Sequence, residues 1–361
     1  MTPKSSARLH VWLLTALLLT ACAGPATSTS APPTPAPTGP FTVFDWSGYE
    51  EPTFWEPFAA KHPDIAPDFA FFAEDAEAFA KLQTGFQTDL VHPCNSWWQL
   101  YVDNGLVQPL DTSRLSHWSG IRPELARLGE FNGQQYFVPW DWGYESILVR
   151  TDKVAEVPDA WADLWDPQYA GHVALWDSGE SNYIMTALAL GFDPWQTTPE
   201  QSEQIKQKLI EIKPNLVTYW VDFTEVPQLI ASGDAWLVAN AWQDAYTTAT
   251  AEGSPVEYIT PAEGRLGWVC GYGISSKAIN LDLAYDYLDA LIAPQSMANL
   301  SNTYAYGAAN AEALPLTDAN LITLMQLDQP NLTERTVFFQ PLTQEQRETW
   351  VTIWDEVKAA P

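Results

Sequence analysis

Phe41-Thr42-Val43-Phe44-Asp45-Trp46-Ser47-Gly48-Tyr49 is the stretch whose reading decides the fold. Its first half is apolar, so Thr42-Val43-Phe44 is predicted as a short strand; its second half is a polar loop carrying two large rings. Downstream, helical spacing over Thr53 to Lys61 is followed by a second strand over Pro67 to Phe72. A helix over Ala76 to Thr84 then leads to a third strand from Thr88 to Val91, which enters a loop at His92-Pro93-Cys94. A second alternating block runs from about Val173 to Ile259, with a helix from Thr198 to Ile212 and an apolar strand Ala235 to Ala239. Such alternation predicts an α/β protein with an open sheet, and ligands are expected in the crevice beyond the carboxyl ends of the strands. Asp45 to Tyr49 and Cys94 to Trp97 fall there.

Upstream, Lys4 and Arg8 precede an apolar run from Val11 to Leu19, which has the length of a signal peptide. Leu19-Thr20-Ala21-Cys22 then reads as a lipoprotein processing site. On that reading residues 1–21 are removed and Cys22 is lipidated, tying the protein to a membrane surface on the periplasmic or extracytoplasmic side. An ordinary secretory signal with a chance cysteine is the other reading. Gly24 to Pro40 is built from Pro, Ala, Thr, Ser and Gly without charge, so residues 22–40 are expected to form a disordered tether. About 320 residues remain, more than one core usually organises, and two lobes are the default expectation.

Lys plus Arg number 17 against 45 for Asp plus Glu, a formal charge of −28 that becomes −30 once Lys4 and Arg8 are removed. A nucleic acid is excluded as a natural partner. The chain also holds 18 Trp, several of them beside carboxylates. Aromatic faces beside acids suit a cationic amine, through cation–π attraction and ion pairing. Trp55, Trp161, Trp165, Trp350 and Trp354 are read as core.

Chemistry of other kinds finds no support. The glycines of Gly264 to Gly273 lack dinucleotide spacing, and no Gly-x-Ser-x-Gly elbow occurs. His62, His92, His117 and His172 are singletons read as structural, and the three cysteines lack metal-ligand spacing. No enzyme activity, cofactor or metal is expected. What recurs is aromatic and polar groups at strand ends: Trp46 and Tyr49; Trp140-Asp141-Trp142-Gly143-Tyr144; Leu175-Trp176-Asp177-Ser178-Gly179-Glu180; Trp242 with Asp244; and Trp268 with Cys270. For each, core packing or helix capping is the competing explanation.

The order of these pieces, with Asp89-Leu90-Val91, Val138-Pro139, Trp161-Ala162-Asp163-Leu164-Trp165, Gly233-Asp234 and Gly307 to Asn310, resembles the spermidine/putrescine-binding proteins of polyamine ABC transporters. The resemblance covers essentially the whole mature chain. It implies a type II periplasmic-binding-protein fold: two lobes, each an open mixed sheet flanked by helices, with the ligand cleft between them. Lobe 1 is expected at 41–140 and 269–310, and lobe 2 at 141–268 and 311–361. By position the resemblance carries ligand contacts onto Trp46, Ser47, Tyr49, Cys94, Ser96, Trp142, Asp177, Glu180, Asp222, Trp242, Trp268 and Gln340.

Two positions depart from the family pattern. Cys94 and Ser96 stand where polyamine binders carry a serine and then an aromatic residue, and Cys270 stands where they carry an acid. Losing that acid leaves one ammonium without its partner, which costs several kcal/mol in a buried site. Asp141, Asp222, Glu225 or Asp244 then substitutes, or the ligand has fewer charges, as a monoamine, an amino acid or a quaternary ammonium compound does. The implied fold also sets Cys94 beside Cys270, and a disulfide is expected in an exported compartment. The resulting expectation is a monomeric, membrane-tethered solute receptor that delivers a small cationic amine to an ABC transporter permease. A sensor receptor fits the same sequence, and a secreted carbohydrate-binding or carbohydrate-active protein using Trp platforms is the competing class.

Overall fold

The computed structural model describes residues 39–222, 224–327 and 331–361. The signal peptide at 1–21, the lipidation site Cys22 and the tether as far as residue 38 lie outside the described residues. Thirteen strands are described: β1 (Thr42–Trp46), β2 (Asp68–Phe72), β3 (Leu90–Val91), β4 (Glu130–Phe131), β5 (Gln134–Gln135), β6 (Val138–Arg150), β7 (Val173–Trp176), β8 (Leu216–Trp220), β9 (Leu237–Trp242), β10 (Val256–Tyr258), β11 (Arg265–Ile274), β12 (Gly307–Ala308) and β13 (Thr336–Phe338). The main sheet runs β2-β1-β3-β11-β6-β9-β7-β8, and β4 and β5 form a separate hairpin.

Lobe 1 is built on β1, which pairs in parallel with β2 and β3. Lobe 2 is built on β7, which pairs in parallel with β8 and β9. The long antiparallel strands β6 and β11 run through both, paired from Leu266↔Glu145 to Tyr272↔Val138. At its lobe 1 end β11 pairs with β3, and at its lobe 2 end β6 pairs with β9.

Alternation of side chains accounts for burial on both faces of lobe 2. Leu148, Ala174 and Val238 join the apolar cluster that also fills lobe 1, while Ile147, Val149, Val173, Leu175 and Leu237 join a second cluster on the opposite face. Trp161, Trp350 and Trp354 pack in that second cluster, and Trp350 stacks on Tyr183 with ring centres 4.2 Å apart.

Expected elements and structure differ mainly at their ends. A 3-10 turn, Pro52–Phe54, precedes the helix Glu56–Lys61, because Pro52 and Pro57 break a continuous start. The third strand is only Leu90–Val91, because Asp89 has a different task. Its buried carboxylate accepts from the amides of Thr42 at 2.9 Å, Ile279 at 2.8 Å and Asn280 at 2.9 Å, tying the start of β1 to a distant loop. Past residue 310, Ala313 packs in the first apolar cluster and the amide of Asp318 donates to Asn302 at 2.8 Å. No helix among the described residues is long and apolar enough to cross a membrane.

Candidate ligand-binding site

Parallel pairing brings the carboxyl ends of β1 and β3 to the crossing strands from one side, and those of β7, β8 and β9 from the other. The second set ends in Trp176, Trp220 and Trp242. Trp176 stacks with Trp220 at 5.6 Å and meets Trp242 edge-on at 4.9 Å. Between the two sets lies Trp268 of β11, paired with Gly143 of β6. A Cβ at position 143 would run into the Trp268 ring and the Gln243 carboxamide, so only glycine lets the indole lie over the strand. Tyr306 meets Trp268 edge-on at 4.8 Å, and Tyr304 stacks on Tyr49 at 5.2 Å.

On the lobe 1 side a chain of polar groups is buried. The Tyr272 hydroxyl donates to Asp45 at 2.7 Å, and the Tyr49 hydroxyl donates to Asp141 at 2.8 Å. His92 joins the two carboxylates, with Nδ1 2.7 Å from Asp45 and Nε2 3.3 Å from Asp141. Burial alone would depress the imidazole, but the Asp45 charge and the hydrogen bonds to both acids outweigh it and raise the pKa to about 9. His92 is therefore a cation at neutral pH and donates from both nitrogens. Beside it Cys94 and Cys270 form a disulfide, and their backbones pair as an antiparallel bridge.

Further acids ring the crossing. Asp75 accepts from the Cys94 amide at 3.1 Å. Burial pushes its carboxyl up to about 7, against the pull of that bond and of Arg347. Arg347, on the helix Gln344–Ala359, pairs with Glu180 at 3.2 Å and donates to the Ser96 carbonyl at 2.9 Å. Glu145 of β6 is 1% exposed, and burial drives its carboxyl well above the usual range. Asp244 is raised to about 6, chiefly by burial and slightly by Asp222, against hydrogen bonds from the backbone. Asp45, Asp75, Asp141, Glu145, Glu180 and Asp244 thus form a linked acidic group with two cations, His92 and Arg347. Such a site favours a positively charged occupant over an anion. Among the described residues no cluster of His, Cys, Asp or Glu has the arrangement of a metal site.

Residues read from the sequence divide into several groups. Trp242, Trp268, Tyr49 and Glu180 face the crossing region as described. Trp46 is half-buried, with Nε1 donating to the His92 carbonyl at 2.8 Å, and Ser47 is exposed at the loop tip. Ser96 is buried and serves through its carbonyl, which accepts from the Leu342 amide at 3.0 Å as well as from Arg347. Gln340 bonds the Phe338 carbonyl at 3.1 Å.

Three of the positions have their polar groups engaged within the protein. Trp142 is 2% exposed and donates to the Ala308 carbonyl at 3.1 Å, because alternation turns it to the face opposite Gly143. Asp177 is held by Trp354 Nε1 at 2.7 Å and by Lys358 at 3.0 Å, so its charge is spent on the C-terminal helix. Asp222 is exposed and accepts from its own turn, at the Thr224 amide and hydroxyl. Among the proposed substitutes Glu225 is likewise exposed and caps the Val221 amide, and Asp141 is already satisfied by His92 and Tyr49. Sequence reasoning did not single out Asp75, Glu145, Tyr306 and Arg347, which the fold sets among these groups. Glu145 left one signal, an acid standing in the apolar run Tyr144 to Val149.

Comparison with known proteins locates this arrangement. The profile of the family described as bacterial extracellular solute-binding proteins matches residues 54–323. The chain belongs to that family. This solute-binding protein is 26% identical over 276 residues to the spermidine/putrescine-binding periplasmic protein of Salmonella typhimurium, covering 76% of this chain and 78% of the relative. Its fold matches that of the spermidine/putrescine transporter substrate-binding protein PotD from Streptococcus pneumoniae, with a TM-score of 0.75 and 18% identity over 88% of this chain and 98% of the other. The TpPotD lipoprotein of Treponema pallidum matches with a TM-score of 0.74 and 18% identity over 88% and 99% of the two chains. Proteins of this family bind and carry solutes rather than transform them, and the two-lobed fold is that of PotD-like periplasmic-binding proteins.

Proposed function

We propose that this solute-binding protein captures a small cationic amine between its lobes and presents it to the permease of an ABC importer, held at the membrane by a lipid on Cys22. The observation that carries the ligand class is the desolvated acidic group around Trp242, Trp268 and Tyr306, in which Asp75, Glu145 and Asp244 are destabilised as anions by burial. A cation entering that space relieves the cost of their ionisation while indole and phenol faces stack on its methylene groups. Relatives named for spermidine and putrescine support an amine, and a neighbour named as a lipoprotein supports the anchor. By the family resemblance Cys270 stands where polyamine binders carry an acid, and here it is bonded to Cys94, which argues for a grip distributed differently from theirs. Closure follows when one ligand touches both lobes and so favours the state in which both contacts form.

A thermal-shift and calorimetric screen of putrescine, spermidine, simple monoamines, choline, betaine, basic amino acids and oligosaccharides tests the reading. Stabilisation by at least one amine is the expected result. Stabilisation by sugars alone would overturn it in favour of a carbohydrate-binding protein. For the anchor, mass spectrometry of the membrane fraction is expected to find acyl chains on Cys22.

A further inference from the structure

Glu145 is an acid for which neither fold nor capping supplies a use. It sits within β6, 1% exposed, between residues committed to the two apolar clusters. The Ser181 hydroxyl donates to Oε1 at 3.2 Å and so fixes the carboxylate, yet Oε2 accepts no hydrogen bond from any described residue. Glu180 repeats the pattern. Its Oε2 is paired with Arg347, while its buried Oε1 has no hydrogen-bond partner among the described residues. The Glu180 charge adds to burial in raising the cost of ionising Glu145. Two fixed carboxylates with two unused oxygens are an unusual expense in a protein interior, where nearly all buried polar atoms are satisfied.

Their position relative to the aromatic platform supplies the second observation. Along β6 the residues Asp141, Gly143 and Glu145 share a face by the period-two rule, and Trp268 occupies the space left by Gly143. Glu145 lies two residues further on, about 7 Å along the strand, toward lobe 2. Across the sheet it pairs with Trp242 on one side and with Leu266 on the other. A chain stacked on Trp268 with its end directed into lobe 2 would run toward this carboxylate.

We propose that Glu145 joins Glu180, which the family resemblance already implies as a ligand contact, at the lobe 2 end of the Trp268 platform, and that Glu145 is this chain's own addition to the grip on one primary ammonium group of the ligand. The subsite stands in for the acid that Cys270 replaces, at a different place on the crossing strands. It deepens the amine-binding reading and rests on it. The competing explanation is purely structural: the two carboxyls share a proton and never meet ligand.

The test uses Glu145→Gln, which keeps the shape and the bond to Ser181, and Glu180→Gln, at a less buried position. Both are measured by calorimetry with putrescine, spermidine and n-butylamine, in two buffers of different ionisation enthalpy at pH 7. For whichever amine binds the unaltered protein, Glu145→Gln is expected to weaken affinity by tenfold or more and to abolish part of the proton release that accompanies binding. Glu180→Gln is expected to weaken it severalfold, which keeps the proposal open to test should the first variant fold poorly. Unchanged affinity and proton release in folded Glu145→Gln, or unchanged affinity in Glu180→Gln, would overturn the subsite while leaving amine binding intact. Failure of the unaltered protein to bind any amine would overturn both.

Discussion

The guanidinium of Arg347 lies 3.8 Å from the centre of the Trp97 ring, so the C-terminal helix reaches across to the loop that follows β3. The same side chain pairs with Glu180 and caps the Ser96 carbonyl, and its charge holds Asp75 lower than burial alone would. Arg347→Ala removes the stacking and the ion pair together. A loss of about 2 kcal/mol in unfolding free energy is expected, measured by urea denaturation. A loss too small to resolve would show that the contact contributes nothing to stability.

Stacking on Trp268 gives a second prediction. Trp268→Ala is expected to cost roughly tenfold or more in amine affinity, of the order found for cation–π contacts in desolvated sites, with circular dichroism unchanged. Gly143→Ala is expected to do the same by displacing the ring, because its new methyl would collide with Trp268 and Gln243. Full affinity in both variants would remove the indole from the site.

Acids raised by burial make binding depend on pH. Asp244 titrates near 6 and Asp75 near 7, and a bound cation favours their ionised forms. Binding in this range therefore releases protons, and affinity is expected to rise from pH 5 to pH 8. Isothermal titrations across that range check the sign; affinity that falls with rising pH would contradict the role of these acids.

Stability without ligand runs the other way. The carboxyls of Asp75 and Asp244 titrate higher in the folded chain than the reference of 3.8, so folding is progressively penalised as pH rises from about that value through 6 and 7. His92 has a folded pKa of about 9 against 6.5, so its contribution is complete below 6.5 and is lost as pH passes through about 9. Melting temperature is expected to decline from acid to alkaline pH, and His92→Gln is expected to flatten the alkaline limb.

The disulfide offers a fifth comparison. Cys94 and Cys270 are 176 residues apart in sequence, and opening so large a loop to unfolded-state freedom is expected to cost about 3–5 kcal/mol in Cys94→Ser/Cys270→Ser. Replacing the second serine by aspartate restores an acid beside Trp268. Cys94→Ser/Cys270→Asp is expected to bind spermidine more tightly than the double serine variant, measured by calorimetry.

Sequence revealed the fold more readily than the site. Alternation from Thr42 to Val91 located three strands of lobe 1 because apolar runs bounded by polar loops register in local composition. Trp268 was legible through its place in a family pattern. The partners of Asp177 and Trp142 were not legible: Asp177 is engaged by Lys358 and Trp354, far along the chain, and Trp142 is placed by the parity of a strand whose two faces are both buried. Glu145 carried a local anomaly, but its meaning depends on Ser181 and Glu180, which only folding brings near. The charge on His92 likewise exists only because β1, β3 and β6 deliver Asp45 and Asp141 to the same ring.

The disulfide also bears on how such a molecule could move. Cys270 is fastened to the loop after β3, so the part of β11 from that residue onward travels with lobe 1. Twisting of one lobe against the other is then confined to the adjoining rungs of the paired strands, where Trp268 faces Gly143. Trp268 stands at those rungs, next to the residue that the disulfide fastens. On the proposed closure it would be displaced least, and a solute taken up by the open form would keep its berth on the ring while the walls come in.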